Sequence, residues 1–302
     1  QRTNLISYSE YFEGSYWNTN SNALRSLSSN LSPEGTANAY RIEAVSGTQV
    51  GYVGVTTIGT TITHSLYVRR ISGSTTFDMV DVNNVSTQVD ITNDWKRFSV
   101  TASATSTNLR SYLRLNQIGD VVEIFGFQAE AGSYKTSYIP TYGTSVTRNA
   151  DACFGAGDAA TFNSTEGVLY AEISALANNG STRTISINDN SGNNVVRIGY
   201  TATSNEVNFI IRATTNIYVY NQALSDTTTI NKIAISYNSS GAKVFINGVL
   251  SDSGALSSLP TGLSQLDFRY GNGSFNFYGN TKQLIYFPTA LSDSELATLT
   301  TI

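Results

Sequence analysis

One histidine, one cysteine, one methionine and four prolines are all that 302 residues contain of these types, and each scarcity removes a class of chemistry. With His64 alone, no multi-histidine metal centre and no HExxH metalloprotease helix can be assembled. Cys153 alone cannot close an intramolecular disulfide. Its neighbours Ala152, Phe154 and Gly155 read as the setting of a small buried hydrophobe rather than of a reactive thiol. Charge is scarce as well: Asp, Glu, Lys and Arg make up 13% of the chain, against ~25% in an average soluble protein. A net charge of -4 leaves no basic footprint for nucleic acid or anionic lipid, so neither is expected as a partner. No apolar run is long enough to insert into a membrane as a spanning helix, and there is no G-x-x-x-x-G-K-[ST] phosphate loop. The chain opens Gln1-Arg2-Thr3-Asn4, without Met or an apolar leader, as a trimmed form or a piece of a longer polypeptide would.

Ser, Thr, Asn and Gly stand where charge is missing and keep a surface soluble through neutral hydrogen bonds. Hydrophobic residues at 40% and aromatics at 11% supply enough apolar surface to offset the entropy of ordering the chain. Their arrangement has period two. His64, Leu66 and Val68 alternate with Thr63, Ser65, Tyr67 and Arg69. Val122, Ile124 and Gly126 alternate with Val121, Glu123, Phe125 and Phe127, and Ile233, Ile235 and Tyr237 alternate with Lys232, Ala234 and Ser236. Each run predicts a strand with one buried face. Turn-forming clusters such as Asn188 to Asn193 separate the runs, a rhythm that predicts an all-β sandwich or barrel. Asn247-Gly248 between Lys243-Val244-Phe245-Ile246 and Val249-Leu250 predicts a hairpin with a type I′ turn. Ser292 and Glu295 form a capping box ahead of Leu296 and Leu299 and predict a C-terminal helix; a weaker helical turn is expected within Ser9 to Trp17. The strand-like Val121 to Gln128 gives way to Pro140 and the turn-rich Tyr142-Gly143-Thr144-Ser145, which places a domain boundary near residue 147. The chain thus reads as two domains, 1–147 and 148–302.

Several ordered strings carry a resemblance. Asn4 to Glu10, Tyr16-Trp17, Asn93 to Val100, Gly126 to Gly132, Thr136 to Pro140 and Val146 to Asp151 resemble, in that order, the carbohydrate-binding-module-like jelly rolls of bacteriophage structural and tail proteins. Val168 to Ile173, Lys243 to Val249, Phe277 to Asn280, Leu284 to Phe287 and Ala290 to Leu296 resemble the concanavalin A-like, laminin-G-like sandwich. The resemblance implies two tandem antiparallel jelly-roll β-sandwiches, the second concanavalin A-like. It also implies an extracellular or virion-surface location, with a polysaccharide or surface glycan and other virion or surface proteins as partners. A homo-oligomer would raise weak single-site affinity by presenting several copies. No cofactor is required by this reading. Structural calcium is compatible with both module types, with Glu10, Glu43, Asp158 and Asp189 as candidate oxygen donors.

Catalytic constellations are missing from the string. Laminarinase-type hydrolases on this sandwich carry E-x-D-x-x-E, and here Glu172 has no such partners. Polysaccharide lyases of jelly-roll type resemble one another in an Arg/Glu/Arg strand and a Gln-x-His strand. Arg110-Ser111-Tyr112-Leu113-Arg114 lacks the acid and Gln117-Ile118-Gly119 lacks the histidine, so the match reads as coincidence. His64, on a face with Leu66 and Val68, reads as a satisfied core or edge histidine. Binding asks for less: sugar rings stack their C–H faces on aromatic rings and offer hydroxyls to Asn, Asp, Gln and Arg. Tyr16, Trp17 and Tyr52 are the candidates in the first half. In the second they are Tyr218 and Tyr220 on one strand face and Arg269, Tyr270, Asn272, Phe275 and Asn276 in a polar-aromatic loop. Each competes with the plainer reading of an aromatic packed in a strand core. The expected function is non-catalytic carbohydrate binding by a phage virion protein or surface adhesin. The alternatives are a structural or interaction module without a glycan ligand, and a lyase or hydrolase with a non-standard site.

Overall fold

The computed structural model describes residues 1–18 and 23–302. By packing, the chain divides into two units, Gln1–Asp151 and Ala152–Ile302. Both are antiparallel β-sandwiches.

The first unit contains β1 (Arg2–Asn4), β2 (Trp17–Asn18), β3 (Leu24–Leu27), β4 (Tyr40–Glu43), β5 (Gln49–Val55) and β6 (Thr61–Ser72). It continues with β7 (Thr76–Val80), β8 (Ser86–Asp90), β9 (Lys96–Ser103), β10 (Asn108–Leu115), β11 (Val121–Ala131) and β12 (Val146–Arg148). One sheet has the order β2-β5-β10-β7-β8 and the other β3-β4-β11-β6-β9. Val50, Phe77, Met79, Leu109 and Leu113 of the first meet Ile42, Leu66, Val68, Phe98 and Ile124 of the second in one core. β12 pairs with β1, which carries the first unit past residue 147. The alternation read for Val121 to Phe127 breaks at Gly126, whose φ of +64° makes a bulge between Phe125 and Gln128. Phe127 is thereby turned into the core, against Trp17. The stretch Ser9 to Tyr16 forms bends and turns, not a helix; Phe12 reaches the core from irregular backbone and Trp17 from the start of β2.

The second unit contains β13 (Gly167–Ala175), β14 (Arg183–Asn188), β15 (Asn194–Tyr200), β16 (Glu206–Ala213), β17 (Thr215–Ala223) and β18 (Asn231–Asn238). After these come β19 (Gly241–Ile246), β20 (Val249–Gly254), β21 (Gln265–Asp267), β22 (Gly279–Phe287) and α1 (Asp293–Thr300). Its sheets have the orders β20-β19-β18-β13-β22 and β17-β16-β15-β14-β21. Ile233, Ile235 and Tyr237 point into the core, as their period predicts. Asn247 and Gly248 take φ of 50° and 85° and join β19 to β20 in the register Ile246↔Val249. Ser292 caps α1 through the reciprocal box with Glu295, and Leu296 buries the helix on Val168, Tyr170, Ala234 and Phe245. Among the described residues no helix is long and apolar enough to cross a membrane.

Cys153 is exposed, contrary to the expectation from its neighbours. Residues 151–161 run along the surface, and Cys153 contributes its backbone carbonyl to the Phe268 amide at 2.8 Å while its side chain packs on no core. His64 is buried as expected, but it is not satisfied: neither ring nitrogen has a hydrogen-bond partner of good geometry.

Candidate functional site

The sheet β17-β16-β15-β14 shows what period two does when four strands are in register. The rows Ile185↔Ile198↔Phe209↔Tyr220 and Ile187↔Val196↔Ile211↔Tyr218 face the core and are apolar or aromatic. The alternate rows, Thr184↔Gly199↔Asn208↔Asn221 and Ser186↔Arg197↔Ile210↔Val219, face outward, with Arg212 two residues further along β16. Polar side chains therefore collect on the outer face without any of them being neighbours in sequence.

They form a connected ladder. The Arg197 Nη2 donates to Asn208 Oδ1 at 2.6 Å, Asn208 Nδ2 donates to Asn221 Oδ1 at 2.5 Å, and Asn221 Nδ2 reaches Glu206 Oε1 at 3.4 Å. Gly199 sits in the middle of this face. A Cβ there would stand 2.7 Å from the Arg183 carbonyl and 3.0 Å from Thr184 Oγ1, so only glycine leaves the floor unobstructed. Thr184 Oγ1 and Arg197 Nε are both buried and lack a hydrogen-bond partner.

The chain leaves β21 and crosses this face as a loop before returning beside β14. Ser186 Oγ donates to the Arg269 carbonyl at 2.6 Å, and the Thr184 amide donates to the Phe275 carbonyl at 2.9 Å, which pins both ends. Between the pins, Tyr270 lies across the sheet. The Arg197 guanidinium is 5.2 Å from its ring centroid, and the Tyr270 hydroxyl donates to the Gly192 carbonyl at 3.1 Å and accepts from Arg212 Nη1 at 3.4 Å. Burial lowers the pKa of Arg197, and Tyr270 opposes that shift. Asn272 is exposed at the tip and closes a turn by accepting from the Ser274 amide at 3.1 Å and its hydroxyl at 2.5 Å. Phe275, 50% exposed with φ of +54°, and the exposed Tyr278 border the face; Asn276 Nδ2 donates to the Tyr278 hydroxyl at 3.4 Å. Arg269 is turned aside: its guanidinium stacks 4.0 Å from the Phe154 ring centroid and pairs with the buried Asp267 at 3.5 Å.

Of the residues singled out in the sequence, the 269–276 loop is thus a surface feature, and its Tyr270 meets the ladder. Tyr218 and Tyr220 do share a face, but that face is turned inward. Tyr218 is buried with its hydroxyl donating to Asp252 Oδ2 at 2.6 Å, and Tyr220 stacks on Phe209 at 6.1 Å. Their exposed alternates are Val219 and Asn221. In the first unit Trp17, only 2% exposed, and the buried Tyr52 are core residues. The Trp17 ring lies 4.7 Å from Phe12, 5.2 Å from Phe127 and 5.8 Å from Tyr52, and its Nε1 donates to the Tyr8 carbonyl. Neither is placed to stack on a ligand from solvent. Tyr16 is 52% exposed and stacks on Tyr8 at 4.4 Å.

The string set aside as a failed lyase motif has a place in the structure. Arg110, Tyr112 and Arg114 alternate outward on β10 while Leu109, Ser111 and Leu113 go inward. The Tyr112 ring occupies the space over Gly51 on β5, where a Cβ would collide with it, and Arg114 donates to Gln49 Oε1 and Ser86 Oγ. This is a second, smaller polar-aromatic face.

The four carboxylates considered for calcium each serve local structure. Glu10 accepts from the hydroxyls of Tyr138 and Tyr142 and from Asn38, and Glu43 pairs with Arg41. Asp158 holds the Thr161 turn and Asp189 the Ser191 turn. Among the described residues no group of three or more His, Cys, Asp or Glu side chains is arranged to hold a metal ion. Glu172 on β13, the nearest carboxylate to a hydrolase strand, accepts at 3.2 Å from Lys282 on the neighbouring strand β22.

No protein-family model and no curated protein matches the chain. Solved structures with a similar arrangement include the CBM40 of the Ruminococcus gnavus IT-sialidase bound to α2,3-sialyllactose, at 17% identity over 51% of this chain and 97% of that one, TM-score 0.41. Domain 4 of AbnA, a GH43 extracellular arabinanase from Geobacillus stearothermophilus in complex with arabinotriose, aligns at 16% identity over 48% of this chain and 70% of that one, TM-score 0.38. At such identities a likeness concerns fold, and ligand chemistry has to be read from this chain's own residues.

Proposed function

We propose that the chain is a non-catalytic carbohydrate-binding protein that recognises its glycan on the outer face of β14 to β17, in the setting of a phage virion or a cell-surface adhesin. The observation that carries this reading is the ladder Arg197–Asn208–Asn221 with Tyr270 laid beside it. Aligned amide and guanidinium groups match a row of sugar hydroxyls, and the bordering aromatic rings suit the C–H faces of a sugar. A sheet face is shallow, so single-site affinity is weak and presentation in several copies supplies the strength.

A glycan array probed with a multimer of the full chain tests the proposal. Binding to one polysaccharide class is expected, with loss of signal in Tyr270→Ala and in Asn221→Ala, on the exposed rung of the ladder, and a thermal melt of each variant to separate binding from folding. Binding that survives both substitutions would move the site to the Tyr112 face, and a multimer that binds no glycan would sink the reading.

A second reading, a structural or interaction module of a virion, is favoured by β3. This strand is outermost in its sheet and exposes Leu24 and Leu27, with Leu31 exposed close behind. An open apolar edge suits contact with another protein.

A further inference from the structure

We propose that the β14–β17 face selects glycans that carry an anionic group, a carboxylate or a sulfate ester on the sugar, received by Arg197 and Arg212, which both contact Tyr270. This rests on the glycan-binding reading and narrows its ligand class.

Most of the positive charge of the second unit is held by partners away from this face. Lys243 pairs with Asp293, Lys282 with Glu172 and Arg269 with Asp267, while Lys232 donates to the Thr301 carbonyl and the buried Arg183 to the Ala177 carbonyl and Asn179 Oδ1. Arg197 and Arg212 form no ion pair among the described residues; their partners are Asn208, the Thr214 carbonyl and Tyr270, all neutral. The carboxylates on or beside this face are already engaged. Asp267 is fully buried and accepts from the Gly155 amide, Asn188, Gln265 and Arg269. Glu206 Oε1 accepts from Thr201 and Asn221.

A guanidinium withdrawn from water without a counter-ion is costly, and the cost is recovered when an anion arrives. Arg197 is in that condition: its Nε is buried and has no acceptor. Arg212 lies on the diagonal from it, because Arg197 pairs with Ile210 and Arg212 follows two residues later. Diagonal neighbours on one sheet face are about 7–8 Å apart, which lets two long side chains converge on one anionic group. Tyr270 fixes the spacing, holding Arg197 over its ring and Arg212 at its hydroxyl. Planar guanidinium groups match two-oxygen acceptors, a geometry that a neutral hydroxyl does not exploit. The net charge of -4 over the chain makes general attraction of polyanions a poor substitute for this local arrangement.

The test uses the full chain, multimerised, on three immobilised polymers: a polyuronate, the same polymer after carboxyl reduction, and a sulfated neutral glycan. Tyr270→Ala reports on the face itself; Arg197→Gln and Arg212→Gln report on the charge, with a thermal melt for each variant. The expected result is binding to the polyuronate or to the sulfated glycan, which tells the two anions apart. Carboxyl reduction, or either arginine substitution, should cost roughly tenfold or more. Arg197→Lys should recover only part of the Gln loss. Should Arg197→Gln prove unstable, Arg212→Gln, on a partly exposed side chain, carries the same comparison. Equal binding to the polyuronate and its reduced form, lost in Tyr270→Ala and kept in both Gln variants, would overturn the anionic inference and leave glycan binding standing. Failure to bind any of the three and any neutral glycan would remove both.

Discussion

His64 is a single side chain with a consequence for the whole first unit. It lies in the core between the sheets, 1% exposed, and burial pushes its pKa down to about 4 against the smaller upward pull of the Val80 backbone and Asp81. The folded state therefore holds the ring neutral, while the unfolded chain takes up a proton near pH 6.5. A lowered folded-state value means stability that is fully present above about pH 6.5 and is lost as the pH falls toward 4. The loss amounts to about 3 kcal/mol at the low end of that window. Denaturant unfolding at pH 7 and at pH 4.5 should show this difference in the wild type and a smaller one in His64→Leu. Identical pH dependence in the two proteins would mean that other groups govern acid sensitivity. At the same scale, the outcome for Trp17 and Tyr52 shows how little an aromatic's neighbours in sequence reveal. Tyr16 and Trp17 are adjacent, yet one is exposed and the other packs among Phe12, Tyr52 and Phe127.

Among the elements, the features legible in the sequence are those fixed locally. Asn247-Gly248 adopts positive φ at both positions, and Ser292 with Glu295 closes the box at the start of α1. The cap is worth testing because α1 is the cover over Val168, Tyr170, Ala234 and Phe245. Ser292→Ala should destabilise the second unit by about 1 kcal/mol in chemical denaturation. No change would show that tertiary packing alone holds the helix. Parity along a strand was also legible, since Tyr218 and Tyr220 do share a face; which face is inward was not, because that depends on the apolar rows contributed by β14, β15 and β16. The ladder escaped notice for the same reason. Arg197, Asn208 and Asn221 come from three strands and form no motif. Their one signal is a polar residue interrupting each of the apolar runs Val195 to Tyr200, Val207 to Ile211 and Ile217 to Tyr220, or directly following the last. Gly126 misled in the opposite sense: a single left-handed residue reset the alternation of β11 and sent Phe127 inward.

At the level of the molecule, two separate sandwich cores are built from a chain in which only 13% of residues are charged. On the proposed reading, adhesion rests on placed groups rather than on a field, and strength comes from copy number. Apparent affinity for a glycan surface should rise by roughly 10²–10⁴ from monomer to multimer. Surface plasmon resonance on one glycan surface measures this, and equal affinities would count against a shallow single site. The loop over the β14–β17 face adds a last consequence. Its two ends are fastened by a Ser186–Arg269 bond and a Thr184–Phe275 bond that use only loop backbone, and its tip is held by Asn272 and Ser274 within the loop. Tyr270 adds one side-chain tie, to the Gly192 carbonyl and Arg212, so the central residue of the proposed site is also one of the loop's fastenings. Mutation elsewhere on the exposed loop can reshape the surface as in a replaceable cassette, whereas a change at Tyr270 alters surface and fastening together.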